Sequence, residues 1–193
     1  MCRSALEQLL RRRGHSRLPL PPEGKHNSFK TYEPGYVHVE VKYLPQMQDE
    51  DKRRYVFVAI DRATRWVFIA IKQHKTVAAA TAFLTAVRKA APFRIHSILT
   101  DNGKEFTDRL FGSQSRQPTA EHEVDQLCQS LGIEHRLTKL RTPKTNGMVE
   151  RINGSLSQVL RSHHFNSAED LEKMLHRFCM AVQPSLAAKG AGA

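Results

Sequence analysis

Tyr36-Val37-His38-Val39-Glu40-Val41-Lys42-Tyr43 alternates apolar and polar side chains, with Val37, Val39 and Val41 on one side and His38, Glu40 and Lys42 on the other. That two-residue period is the mark of a β-strand, whose successive side chains point to opposite faces. A polar turn, Gln46 to Arg53, follows. Two further β-rich runs, Tyr55 to Ile60 and Trp66 to Lys72, flank Asp61-Arg62-Ala63-Thr64-Arg65 and read as an antiparallel hairpin. Three consecutive antiparallel strands are therefore expected.

Downstream the character changes. Thr76 to Ala90 is Ala-rich, carries Phe83, Leu84 and Val87 on one face and ends before Pro92, which predicts a helix. Ile95 to Thr100 is a short apolar run reached through that crossover, so it should pair in parallel. Thr119 to Leu131, stopped by Gly132, reads as a second helix and Ile133 to Leu137 as a fifth strand. Asn146 to Leu160 and Ser167 to about Met180 read as the last two helices, the latter opened by the capping sequence Ser167-Ala168-Glu169-Asp170. The order predicts an α/β fold with a mixed five-stranded sheet, three antiparallel strands then two parallel, and helices on both faces.

Upstream, Ser4-Ala5-Leu6-Glu7 has the form of a capping box, and the run to Arg13 before Gly14 reads as a short helix. A Pro-rich basic linker from His15 to Pro34 should be extended. Residues 1–31 are thus expected to form a basic N-terminal helix and linker, and 32–162 the main folded domain. Residues 163–193 should hold a C-terminal helix and a disordered, truncated tail, low in complexity from Ala187 onward.

Thirty Lys and Arg against nineteen Asp and Glu give a formal charge of +11, which suits a polyphosphate partner. Cys2, Cys128 and Cys179 lack CxxC spacing, so neither a disulfide framework nor a zinc site is readable. The charged start does not resemble a secretory signal, and no apolar run is long enough to cross a bilayer. These features predict a soluble intracellular protein with no membrane partner.

Three acids sit where side chains could project towards one edge of the sheet. Glu40 lies mid-strand on the polar face of the first strand. Asp101 lies at the carboxyl end of the fourth, in Leu99-Thr100-Asp101-Asn102-Gly103-Lys104-Glu105-Phe106, where α/β sheets commonly form ligand sites. Glu150 falls in the first turn of the helix after Pro143-Lys144-Thr145-Asn146-Gly147. Carboxylates suit Mg²⁺ or Mn²⁺, and two such ions roughly 3.5 to 4 Å apart can stabilise the attacking and leaving oxygens of an in-line phosphoryl transfer. Singly, each acid also has a structural explanation: Glu40 as a solvated strand residue, Asp101 as a turn former, Glu150 as favourable charge near a helix N-terminus.

From about Tyr32 to Leu160 the sequence resembles the DDE transposases of bacterial insertion sequences and the related retroviral integrases. The resemblance rests on Leu99-Thr100-Asp101-Asn102-Gly103, on Thr142-Pro143-Lys144-Thr145-Asn146-Gly147-Met148-Val149-Glu150-Arg151-Ile152-Asn153, and on Val39-Glu40-Val41-Lys42-Tyr43-Leu44. It implies an RNase H-like fold and a polynucleotidyl transferase that binds two Mg²⁺ or Mn²⁺ ions through Glu40, Asp101 and Glu150. The implied reaction is DNA strand cleavage and strand transfer in transposition or integration. Its partners would be the element ends and target DNA, with at least a homodimer in the DNA complex. Two departures stand out. Glu40 occupies the position of an aspartate, which predicts weakened metal binding, and the 48 residues between Asp101 and Glu150 exceed the family spacing, which fits an insertion around Gly112 to Ala120.

Arg136, Lys139, Arg141, Lys144 and Arg151 crowd the approach to Glu150 and, with Asn146 as a helix cap and DNA contact, are the candidate DNA-binding residues. Asp61 opens a hairpin turn and is read as structural. His38 shares the strand face of Glu40 and is read as a satisfied sheet histidine; Trp66, Phe57 and Phe68 are read as packing residues. The alternatives to a transposase core are a catalytically impaired DNA-binding remnant, because of Glu40, and an RNase H-like nuclease that only hydrolyses.

Overall fold

The computed structural model describes residues 12, 33–46, 52–109, 118–139, 147–163, 165 and 167–182. Contacts divide the chain into Met1–Thr31 and Tyr32–Ala193, and the elements below belong to the second unit. The N-terminal helix expected from Ser4, most of the linker, the centre of the Gln46 to Arg53 turn, Arg141, Lys144, Asn146 and the terminal tail lie outside the described residues.

Along the chain run β1 (Tyr36–Tyr43), β2 (Tyr55–Asp61), β3 (Val67–Lys72), α1 (Val77–Ala90), β4 (Ser97–Thr100), α2 (Glu123–Ser130), β5 (Glu134–Leu137), α3 (Gly147–Ser162) and α4 (Ala168–Val182). The sheet order is β3-β2-β1-β4-β5. β1 pairs antiparallel with β2, with Glu40 opposite Val58, and β2 pairs antiparallel with β3. β4 lies parallel to β1, with Val37 beside Ile98 and His38 beside Leu99, and β5 lies parallel to β4. This is the mixed sheet expected from the alternation and the helical crossover.

Strand alternation divides the core in two. One face sets Val37, Val39, Phe57, Ala59 and Ile98 against α1 and α2, through Phe83, Leu84, Val87, Val124 and Cys128. The other sets Val56, Val58 and Ile60 against Val149, Ile152 and Leu156 of α3 and Leu171, Leu175 and Phe178 of α4. Phe57 meets Phe83 at 5.3 Å between ring centroids, and each such fully buried ring contributes on the order of 2 kcal/mol. Trp66, 7% exposed, stacks on Phe68 at 5.9 Å, so these aromatics are packing residues as expected.

Two element starts differ from the sequence reading by more than one residue. α2 begins at Glu123 rather than Thr119. Thr119 is drawn to Asp108, which accepts its backbone N–H at 3.1 Å and its hydroxyl, and Ala120 adopts φ +63°, which a right-handed helix cannot accommodate. His122 then caps the shorter helix, its Nδ1 accepting from Val124 N at 3.3 Å. β4 begins at Ser97 rather than Ile95, because the N–H groups of His96 and Ser97 converge on the carbonyl of Gly35 at 3.0 and 3.2 Å. Thr76 caps α1 by accepting from Ala79 N at 3.2 Å, and Ser167 caps α4 by accepting from Asp170 N at 3.2 Å.

Candidate active site

The parallel register of β1 and β4 ends with His38 beside Leu99, so Glu40 lies two residues further along β1 and Asp101 two residues beyond Leu99, on neighbouring chain segments. Alternation places Glu40 on the sheet face covered by α3. Glu40 is half-buried, 40% exposed at its side chain, and its Oε2 meets Lys42 Nζ at 3.2 Å. Asp101 follows the last residue of β4, and its Oδ1 accepts the N–H of Gly103 at 2.9 Å, which turns the chain immediately after the strand. Asn102 ties that turn to the end of β5, donating to the carbonyl of Thr138 at 3.1 Å.

Glu150 stands on the first turn of α3, exposed, between the buried Val149 and Ile152 that pin the helix to the sheet. Glu40 thus lies on one of two neighbouring strands of the sheet, and Asp101 directly follows the other. Glu150 is delivered by a separate helix, and among the described residues no three acidic, histidine or cysteine side chains stand close enough together to hold a metal ion. The donor chemistry nevertheless fits a hard divalent cation: three carboxylates, of which Asp101 commits one oxygen to Gly103 N–H and Glu40 one to the Lys42 ammonium.

Of the basic residues, Arg136 is engaged by Glu134 at 2.8 Å and lies 5.8 Å from the Tyr36 ring, while Lys139 and Arg151 are exposed. A second basic surface was not legible in the sequence. At the end of β1, a cleft of about 510 Å³ is lined by Lys42, Tyr43, Arg53 and Arg161, drawn from the last residues of β1, the approach to β2 and the last turn of α3. Their distances along the chain hid the cluster.

His38 corrects another expectation. It is 6% exposed on the face of Glu40, yet its Nε2 has no hydrogen-bond partner, so it is buried without being satisfied. Burial, then the positive charge of Arg62, lower its pKa to about 4, against a smaller opposing effect of Asp61. Asn153, one turn beyond Glu150, is also buried, with its Oδ1 unpartnered. Sequence reading passed over it, although Asn on an otherwise apolar helix stripe is the available signal.

Glu105 was also missed. It is 1% exposed, and its Oε1 lies 3.0 Å from Nζ of Lys75, which precedes the cap of α1. The only local hint was its position inside the Asp101 motif.

Comparison with known proteins places these features in context. Residues 33–143 match the family profile described as "Integrase core domain". The chain is 25% identical over 140 residues to the candidate integrase ORF3 of Spiroplasma virus SpV1-C74, and 29% identical over 128 residues to the retrovirus-related Pol polyprotein of transposon TNT 1-94 from Nicotiana tabacum. These alignments cover 70% and 65% of this chain but 38% and 9% of the relatives, so the chain spans well under half the length of either. Among solved structures, the catalytic core domain of BIV integrase is similar in fold, with TM-score 0.52 and 16% identity over 82% of this chain and 87% of that one. A chain of the simian T-cell lymphotropic virus intasome, solved with PP2A regulatory subunit B56 gamma, aligns with TM-score 0.53 and 23% identity, covering 72% of this chain and 46% of that one.

Proposed function

This chain belongs to the integrase core domain family, and from that premise we propose that it is a polynucleotidyl transferase core that cuts and joins DNA strands in transposition or integration. What supports the reading is the parallel pairing of β1, which carries Glu40, with β4, which Asp101 follows, under the helix α3 whose first turn holds Glu150. These three carboxylates would hold Mg²⁺ or Mn²⁺, two ions in the full site. When bound, the metal would stabilise charge on the attacking and leaving oxygens of the phosphoryl transfer.

The protein's own groups prepare that chemistry. Gly103 N–H fixes one oxygen of Asp101 and leaves the other for a cation. Val149 and Ile152 seat the first turn of α3 on the sheet, and metal and DNA together would draw Glu150 towards its two partners. Lys42, Arg53 and Arg161 offer cations to a DNA backbone leaving the site, while Lys139, Arg141, Lys144 and Arg151, with Asn146 and Arg136, would line its approach. The partners would be element ends and target DNA, held by at least a dimer. An insertion-sequence type of transposase in the bacterial cytosol is the finer form of this proposal. Among the described residues no helix is long and apolar enough to cross a membrane.

A second reading has its own support. Glu40 replaces the family's aspartate and is drawn towards Lys42, which favours a domain that folds and binds DNA without turning it over. Incubating the full chain with end-labelled DNA and Mn²⁺ or Mg²⁺ separates these readings. Joined products support the transferase, cut products alone the hydrolytic nuclease, and a mobility shift without products the impaired remnant.

A further inference from the structure

We propose that Lys75 is a positioning residue that holds together the two strand ends carrying Glu40 and Asp101, gripping one through the ring of Tyr43 and the other through the buried carboxylate of Glu105. Its bearing on metal rests on the proposed function above.

The chain of contacts is continuous. The Lys75 ammonium lies 5.9 Å from the centroid of Tyr43, the last residue of β1 and three residues beyond Glu40. It meets Glu105 Oε1 at 3.0 Å, four residues beyond Asp101. Glu105 in turn packs against the backbone of Gly103, where a Cβ would stand 2.6 Å from each carboxylate oxygen, so a side chain at 103 would push that carboxylate out of place. Gly103 donates to Asp101 Oδ1 at 2.9 Å, while its own carbonyl accepts from Phe106 N and Thr107 N at 2.9 and 3.0 Å, closing the turn on itself. Phe106 anchors that turn in the core with no exposed surface.

The location gives these contacts their purpose. The described register between β1 and β4 ends at His38 and Leu99, so no ladder hydrogen bond spaces the residues beyond it. Lys75 bridges the interval. Its own backbone is fixed by the capped start of α1, an element packed on the opposite face from Glu150. Burial opposes its charge, but Glu105 foremost, then Asp101 and Tyr43, raise its pKa above the ordinary lysine value, so the clamp is charged whenever the protein is folded near neutrality. A buried carboxylate is costly to keep, and an apolar side chain of similar volume commonly serves stability as well or better. Placement of the Asp101 turn is the role that the surrounding contacts leave for this pair.

The test compares Lys75→Met, Lys75→Arg and Glu105→Gln with the unaltered full chain. Hydrogen–deuterium exchange without metal reads the turn itself, and Mn²⁺ titration followed by electron paramagnetic resonance reads the site. Lys75→Met and Glu105→Gln should speed exchange in residues 101–107 by about tenfold relative to residues 55–72, which stay unchanged. Both should weaken Mn²⁺ binding by about tenfold, with Lys75→Arg restoring most of the loss. Unchanged exchange in residues 101–107 would overturn the proposal, as would equal acceleration in residues 55–72, which would mark a general stability role. Local acceleration in a chain whose unaltered form binds no Mn²⁺ would support the clamp while removing the metal reading. Glu105→Gln preserves volume, so it keeps the test open if Lys75→Met fails to fold.

Discussion

Asp61 accepts the backbone N–H of Gly35 at 2.8 Å through Oδ1, joining the end of β2 to the entry of β1 across 26 residues of chain. Its other oxygen accepts from Ala63 N at 3.1 Å, Thr64 N at 2.7 Å and Thr64 Oγ1 at 2.8 Å. Gly35 adopts φ +110°, and a Cβ there would stand 2.3 Å from the carbonyl of Arg94, so the backbone approach needs glycine. The carboxylate is fully buried and spent on this joint. Asp61→Ala should therefore cost about 3 kcal/mol by leaving buried donors unpaired, read as a lowered midpoint in chemical denaturation. A variant of normal stability that had lost metal binding would make Asp61 a ligand and contradict this account.

His38 makes stability depend on pH. The folded protein takes up a proton there only near pH 4, against 6.5 for the ordinary side chain, so between these values the unfolded chain binds more protons. The contribution is fully present above pH 6.5 and is lost as pH falls from 6.5 to about 4, on the order of 3 kcal/mol in all. Denaturation midpoints measured across that window should fall with acidification, and His38→Gln should flatten the slope. An unchanged slope in His38→Gln would assign the acid sensitivity to other groups.

Glu40→Asp shortens the side chain by one methylene and supplies the aspartate that the sequence resemblance implies at this position. If displaced carboxylate geometry limits the site, Mg²⁺-dependent strand transfer should rise by roughly ten- to a hundredfold. Quantifying joined products at saturating metal and DNA checks this, and no gain would count against Glu40 as the limiting residue.

Changing Lys139, Arg141 and Lys144 together to Gln should lower the slope of log affinity for duplex DNA against log salt by about 3, the release expected for three phosphate contacts. Fluorescence anisotropy over a salt series reads this. Arg53→Gln with Arg161→Gln should give a further loss of about 2 if the cleft at the end of β1 also carries the backbone. Equal slopes throughout would place DNA elsewhere.

The fold was legible because local periodicity and global packing agree. Alternating valines fixed β1 and its buried face, the Ala-rich stretch between β3 and β4 fixed a crossover, and a crossover implies a parallel partner. The start of α2 was not legible, since the diversion of Thr119 depends on Asp108, eleven residues away. Asp101 and Glu150 could be nominated from their motifs, and Glu40 from its strand face.

The sequence by itself determined the order and pairing of strands and the kinds of residue at the candidate site, because strand and helix periods are written in neighbouring positions. Only the tertiary structure decided that Glu105 is buried against Lys75, that Nε2 of His38 is buried without a hydrogen-bond partner, and that Lys42, Arg53 and Arg161 share one cleft. Those facts depend on desolvation and on charges brought together from distant segments, and neither quantity exists until the chain has folded.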